Sequence, residues 1–345
     1  MIYFLVYAAL LLCGLLSQGK RSLRNNLYYV CLLGLFVFVG FRYEVGCDWR
    51  GYLAIFNAAG HREVADAAQA EAAFWAANKL LHSLELEYPF INVIASAGFF
   101  LGLHVLAKRQ PNPLSILILA FPILILNLAM SGIRQAIALG LLCFAYNAFV
   151  DKRLVRYILF VMVATSFHTS ATFFLVLAPF VRGEYSRQRI ALAGLLALPG
   201  VYYLITSQYL EFYTRRYVGA GTADAAGAPF RAGLLALTGI IFLWFLDHKW
   251  KAQSIRDYKL IKISSYMLIA TFPVAIYSSV IGDRFGYYLN PIQLIILARL
   301  PFLVQGRYSA LVGFAPYAAG ALVLVIWIGL SSLFEKCYLP YQMWW

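Results

Sequence analysis

Long, unbroken apolar runs recur along this chain, near residues 2–17, 26–41, 89–107, 113–130, 133–149, 154–181, 190–206, 232–246, 260–281, 286–304 and 309–333. Each is about the length of a membrane span once tilt is allowed for. Continuous apolarity, rather than alternation, specifies helices and not barrel strands. Charged residues make up only 12% of the chain, half the roughly 25% of soluble domains, and mean hydropathy is +0.74. A soluble fold cannot hide that much apolar surface. The expected fold class is therefore an all-α integral membrane protein, a polytopic helical bundle of about 10–11 spans forming one domain over residues 1–345.

The N-terminal "MIYFLVYAALLLCGLLSQGK" carries its positive charges after the apolar run, not before it, and reads as a retained first span rather than a leader. The net charge of +13 would suggest nucleic acid in a soluble chain. Here it points first to the positive-inside bias and second to an anionic lipid-linked substrate. The short loops "SQGKRSLRNN", "AKRQPNP", "VDKRLVR" and "DHKWKAQSIRDYKLIK" are the basic ones and are expected on the cytoplasmic side.

The run 154–181 breaks this pattern. It is long for one helix, short for two, and interrupted by "ATSFHTSAT". Basic residues concentrate best on one side if this run enters and leaves on the same face, as a broken or re-entrant hairpin; the alternative is that 154–181 crosses and 190–206 does not. Both termini then lie outside, with two outer segments at 42–88 and 207–231. Within the first, "REVADAAQAEAAFWAANKLLHSLELE" has apolar residues near helical spacing and is expected as one or two amphipathic helices on the membrane face.

The outer face then collects the residues that could carry chemistry. "GFRYEVGCDWRGY" supplies Arg42, Glu44, Asp48 and Arg50; "MSGIRQAIA" supplies Arg134; "YLEFYTRRY" supplies Arg215 and Arg216; "IGDRFGYYLNP" supplies Asp283 and Arg284. A charge at membrane depth costs at least about 2.5–3.5 kcal/mol. Arg134 and Arg284 must therefore face a cavity, a carboxylate or a bound anion. Guanidinium forks suit phosphate and pyrophosphate; snorkelling, or pairing with Asp48 or Asp283, is the plainer alternative. His168 is an imidazole inside an apolar run and can serve as general base or anion donor, or as a helix–helix hydrogen bond. Glu44 and Asp48 could activate a hydroxyl or merely pair with Arg42 and Arg50. Tyr52 and Tyr287 belong to an aromatic belt or to a platform for sugar rings. Cys13, Cys31 and Cys143 read as core residues. Cys47 and Cys337 fall in outer loops, where a disulfide is chemically open but free thiols are the expectation. No P-loop, GxSxG, HExxH or DxD signature is present, so neither cofactor nor metal is expected.

Taken in order, "FRYEVGCDWRGYLAIF", "SGIRQAIALGLLCFAYNAFVDKRLVRY", "ATSFHTSA", "DRFGYYL" and "CYLPYQMWW" resemble the EpsG family of bacterial polysaccharide polymerases, which work like the Wzy O-antigen polymerases. Arg42, Gly46, Asp48 and Tyr52 carry the first motif. Arg134, Gln135 and Ala138 carry the second, Phe167, His168, Ser170 and Ala171 the third, and Arg284 with Phe285 the last. Cys47 departs from the usual threonine or serine.

The resemblance implies a metal-independent membrane glycosyltransferase, related in plan to the GT-C fold, in the bacterial inner membrane with its site facing the periplasm. It implies transfer of a growing glycan from undecaprenyl pyrophosphate to the non-reducing end of a lipid-linked repeat unit. His168, Asp48 or Glu44 would be the base. Arg134, Arg284, Arg215 and Arg216 would bind pyrophosphate, with Arg42, Gln135, Tyr52 and Tyr287 lining the substrate. The implied partners are the undecaprenyl-pyrophosphate-linked oligosaccharide, the phospholipid membrane, a flippase and a Wzz-type chain-length regulator, and no nucleic acid. An O-antigen ligase with a lipid A core acceptor, or a lipid-linked oligosaccharide flippase, are the alternatives.

Overall fold

Glycine decides how closely the central helices of this chain approach. Gly98 and Gly102 lie one turn apart on the helix Pro89–Ala107 (α5). A Cβ at Gly102 would sit 2.1 Å from the Gly140 carbonyl oxygen, and one at Gly140 would sit 2.3 Å from the Gly98 carbonyl oxygen. Small residues four apart let apolar helices touch backbone to backbone in lipid. That contact fixes α5 against Ile133–Val150 (α7), the helix that carries Arg134.

The computed structural model describes residues 2–60, 71–183, 186–206, 227–304, 306–307 and 309–344. Among these residues the chain is helical with no strand, apart from a lone antiparallel bridge between Arg42 and Met343. Six of the described helices are long and apolar enough to cross a membrane: Arg21–Gly40, Pro89–Ala107, Ile133–Val150, Ala228–Gln253, Ile255–Tyr277 and Ser309–Leu330. Shorter apolar helices run over Ile2–Leu16, Pro113–Ala129, Leu154–Phe167 and Thr169–Phe180. Large apolar side chains stay on the outside, Leu5 at 68% and Trp244 at 79% exposed, as lipid-facing surfaces require. This is an all-α polytopic membrane protein.

The chain folds as two compact units. The first comprises Met1–Cys143, Ser166–Thr169 and Leu297–Trp345. In it, the outer segment forms two short amphipathic helices, Trp49–Ala59 (α3) and Ala72–Ser83 (α4). Each buries one stripe: Tyr52, Phe56 and Ala59 on α3, Phe74, Asn78 and Leu81 on α4. These stripes close over Ile91, Ala95, Ile133 and Ile137. The helix Pro113–Ala120 continues as a π-helical stretch, Phe121–Ala129. Pro122 lacks the amide that regular helix needs there. The chain then turns at Met130–Gly132 into α7.

The second unit comprises Phe144–Thr165 and Ser170–Ile296. Its helix Ala228–Ile241 and the part of the helix Ser279–Leu303 up to Ile296 are tied by Gln293, whose amide donates to the Leu234 carbonyl at 3.0 Å and to Thr238 Oγ1 at 2.9 Å.

The broken run behaves as a hairpin. Leu154–Phe167 (α8) is α-helical and Thr169–Phe180 is 3-10 helical. Fourteen α residues rise ~21 Å and twelve 3-10 residues descend ~24 Å, so the two limbs match. The buried Tyr157 hydroxyl donates to the Phe174 carbonyl at 2.5 Å. At the foot, Arg182 Nε donates to the Lys152 carbonyl at 3.2 Å. The chain thus returns to the level at which it entered, and His168 sits where the two limbs meet.

Candidate active site

The opening loop 41–48 is a scaffold rather than a set of free charges. Arg42 is 2% exposed. Its Nε donates to the Val45 and Met130 carbonyls at 3.1 and 3.0 Å, and an NH1 bond reaches the Val39 carbonyl at 2.5 Å. Gly46, at φ +107°, presses against the same Met130 carbonyl, and a Cβ there would lie 1.9 Å from it. No side chain fits that spot, and few tolerate that φ. The Cys47 amide donates to Ser131 Oγ at 2.8 Å.

The C-terminal tail completes the clamp. Cys47 is disulfide-bonded to Cys337 with Cα atoms 4.7 Å apart, within the normal range for a bridge. The Tyr43 amide donates to Gln342, the Gly46 amide to Cys337, and the Trp344 amide to Phe41. The free thiols expected at Cys47 and Cys337 are therefore replaced by a bridge. Sequence gives the two cysteines no shared context, because 290 residues separate them.

This clamp sets the first turn of α7. Arg134 projects from that turn, with its guanidinium 5.5 Å from the Tyr52 ring centroid and 5.9 Å from that of Phe74. Such placement over aromatic faces favours a cation. NH1 forms an ion pair with Glu71 Oε2, whose other oxygen, Oε1, lies 2.5 Å from His168 Nδ1. Glu71 therefore bridges Arg134 and His168. Among the described residues, Arg134 Nε is buried without a hydrogen-bond partner, while Glu71 and Tyr52 engage the rest of the guanidinium.

The electrostatics assign protons. Burial would raise the Glu71 carboxyl, but the hydrogen bond from His168 and the charge of Arg134 outweigh it and hold it below its usual value. Glu71 is thus a carboxylate and accepts from His168, so Nδ1 carries the proton. In the neutral ring the lone pair is then on Nε2. Burial pushes the Tyr52 hydroxyl up to about 12 despite Arg134, leaving it a neutral donor. Side-chain exposure is 35% for Arg134 against 15% for Glu71 and 12% for His168. The cluster therefore presents Arg134 outward and keeps the acid and imidazole enclosed.

Of the residues picked out by sequence, Arg134, Tyr52 and His168 come together, and Gln135 is buried beside Arg134. Arg42, expected to bind substrate, is buried and engaged by backbone carbonyls. Asp48 is exposed at the N-cap position of α3. Glu44 is exposed in the left-handed region at φ 55°. Arg284 and Tyr287 belong to the second unit. There Asp283 pairs with Arg231 at 2.7 Å, not with Arg284, and the Arg231 guanidinium lies 5.8 Å from the Tyr287 ring centroid. Arg215 and Arg216 lie outside the described residues. Sequence reasoning missed Glu71 and Arg231. Glu71 stands alone in an alanine-rich stretch, and its only local signal is its place just before an amphipathic helix. Among the described residues no three His, Cys, Asp or Glu side chains converge as a metal cluster.

No curated protein and no solved structure matches the chain. The EpsG family model matches residues 25–343, and that span contains Arg134, Glu71, His168, the clamp around Arg42 and both cysteines of the bridge. The chain belongs to the EpsG family, and is a polysaccharide polymerase-like membrane protein.

Proposed function

We propose that this protein joins lipid-linked oligosaccharide repeat units by glycosyl transfer. The donor is a glycan on undecaprenyl pyrophosphate, and the acceptor is the non-reducing end of a second lipid-linked unit. The observation that carries the reading is the Arg134–Glu71–His168 constellation. It sets a base, oriented by a carboxylate, beside a cation that the protein leaves partly unsatisfied.

In the proposed step the acceptor hydroxyl gives its proton to His168 Nε2. Its oxygen forms a bond to the anomeric carbon of the donor. The bond from that carbon to the pyrophosphate oxygen breaks, and the electron pair leaves with undecaprenyl pyrophosphate. Charge grows on the leaving group as the bond breaks, and Arg134 is preformed to stabilise it. Glu71 holds the imidazole in the tautomer whose Nε2 can accept a proton, and it stabilises the imidazolium that results.

Two features support placement of this site on the periplasmic side of the inner membrane. A disulfide at the mouth suits an oxidising compartment. The basic loops around Lys20, Lys108 and Lys152 suit the opposite, cytoplasmic side. A flippase and a chain-length regulator are the partners this reading entails.

The test is a reconstitution. Purified protein is given lipid-linked repeat units alone, and products are resolved on a gel. A ladder of lengthening glycans, lost in His168→Ala and Arg134→Ala variants that remain folded, is expected. Product formed only when a lipid A core acceptor is added would instead make the protein a ligase. Full ladders from both variants would remove these residues from the chemistry.

A further inference from the structure

At the foot of the 154–181 hairpin, Arg153, Arg156 and Arg182 line a cavity of about 230 Å³ together with Val155. Among the described residues, none of these arginines has a carboxylate partner. Arg182 bonds only the Lys152 carbonyl, and no ion pair involves Arg153 or Arg156. Asp151, the acid next in sequence, is taken by Arg256 at 2.7 Å. Three guanidiniums converging with no counter-charge among the described residues repel one another, and two of them sit where α8 begins, the end at which a cation destabilises a helix. The positive-inside bias accounts for basic residues in this loop, but not for their convergence on one cavity.

The surface above the cavity is apolar. Val155, Ile158, Leu159 and Met162 are 73%, 37%, 57% and 51% exposed. Their spacing of three and four puts them on one face of α8, an apolar track that starts at the cavity and rises towards the hairpin tip.

We propose that this cavity binds the phosphate of an anionic phospholipid headgroup, with the acyl chains lying along the Val155–Met162 face. The arginines supply fork-shaped donors of the right charge, and basic pockets at the ends of membrane helices recognise such headgroups. The track favours a lipid over free phosphate, since it offers the apolar contact that only an acyl chain uses. The site shares no residue with Arg134, Glu71 or His168, so it stands whether or not the glycosyl-transfer reading holds.

The test uses the full chain, delipidated in neutral detergent and titrated separately with cardiolipin, phosphatidylethanolamine and inorganic phosphate, with bound species read by native mass spectrometry. Retention of cardiolipin over phosphatidylethanolamine is expected. The double variant Arg153→Gln/Arg156→Gln should bind cardiolipin about twentyfold more weakly. Val155→Ser/Leu159→Ser, which keeps the arginines, should also weaken it. Equal retention of both lipids, unchanged binding by the double variant, or displacement of the lipid by millimolar phosphate would overturn the assignment. Should the double variant fail to fold, Arg182→Gln alone carries the same test, with a roughly fivefold weakening expected.

Discussion

Glu71 Oε1 lies 2.5 Å from His168 Nδ1, a contact between residues 97 apart in sequence. Its consequence is chemical, because an ionised acceptor at Nδ1 fixes the tautomer of the ring that the proposed step uses. Glu71→Gln removes the charge and offers a donor where an acceptor is needed. The turnover rate should fall about 100-fold with KM little changed. Single-turnover rates against pH would check it, and Glu71→Asp should recover part of the loss. A Gln variant with a wild-type pH profile would make Glu71 merely structural.

Arg134→Lys keeps a positive charge but loses the planar fork and the stacking on Tyr52 and Phe74. Turnover should drop by about 100-fold or more, as when one preformed donor to a developing anion is lost. Lys at full activity would show that charge alone suffices.

Arg42 should behave differently. Arg42→Ala would leave the carbonyls of Val39, Val45 and Met130 short of their donor, at about 1–3 kcal/mol for each one that stays buried and unsatisfied. A fall in thermal midpoint and in folded yield is therefore expected, with near-normal activity per folded molecule. Gly46→Ala, clashing with Met130, should resemble it. Activity lost at full stability would return Arg42 to the substrate-binding residues.

The bridge between Cys47 and Cys337 predicts that alkylation in denaturant labels only Cys13, Cys31 and Cys143 before reduction. Reduction should bring the count to the 5 cysteines of the sequence. Breaking it with Cys47→Ser should cost about 2–5 kcal/mol of stability, read as a lower melting temperature in detergent.

Acid should weaken the first unit through Glu71. Its carboxyl titrates lower in the folded protein than in the unfolded chain, so its contribution is complete above the ordinary carboxylate pKa of about 4.3. That contribution is lost as pH falls through the depressed folded value. Melting temperatures measured from pH 7 downward should decline below that range, and the decline should be shallower in Glu71→Gln.

Much of this was legible in the chain. The apolar runs specify helices because lipid leaves the backbone no other hydrogen-bond partner. The break at "ATSFHTSAT" makes a hairpin the preferred reading over a single crossing, because a hairpin gathers more of the basic residues on one side. Arg134 and His168 stood out because a polar group in an apolar run demands a partner. Glu71 did not stand out, since an acid in an aqueous loop demands nothing, and its significance comes wholly from distant residues. The role of Arg42 was hidden for a related reason: its partners are carbonyls, which every residue has. The bridge needed a spatial meeting of residues that no local pattern encodes.

The Cys47–Cys337 bond also orders events in time. The loop that seats the first turn of α7 is anchored by a cysteine synthesised 290 residues later. The mouth of the site therefore cannot lock until Cys337 has been made and an oxidant has reached it. A chain stalled before that point holds Arg134 and His168 but lacks the fastening that fixes them. Synthesis past Cys337 is thus a condition for fastening this loop fully, and a chain denied an oxidant would carry two thiols there and the lower stability that goes with them.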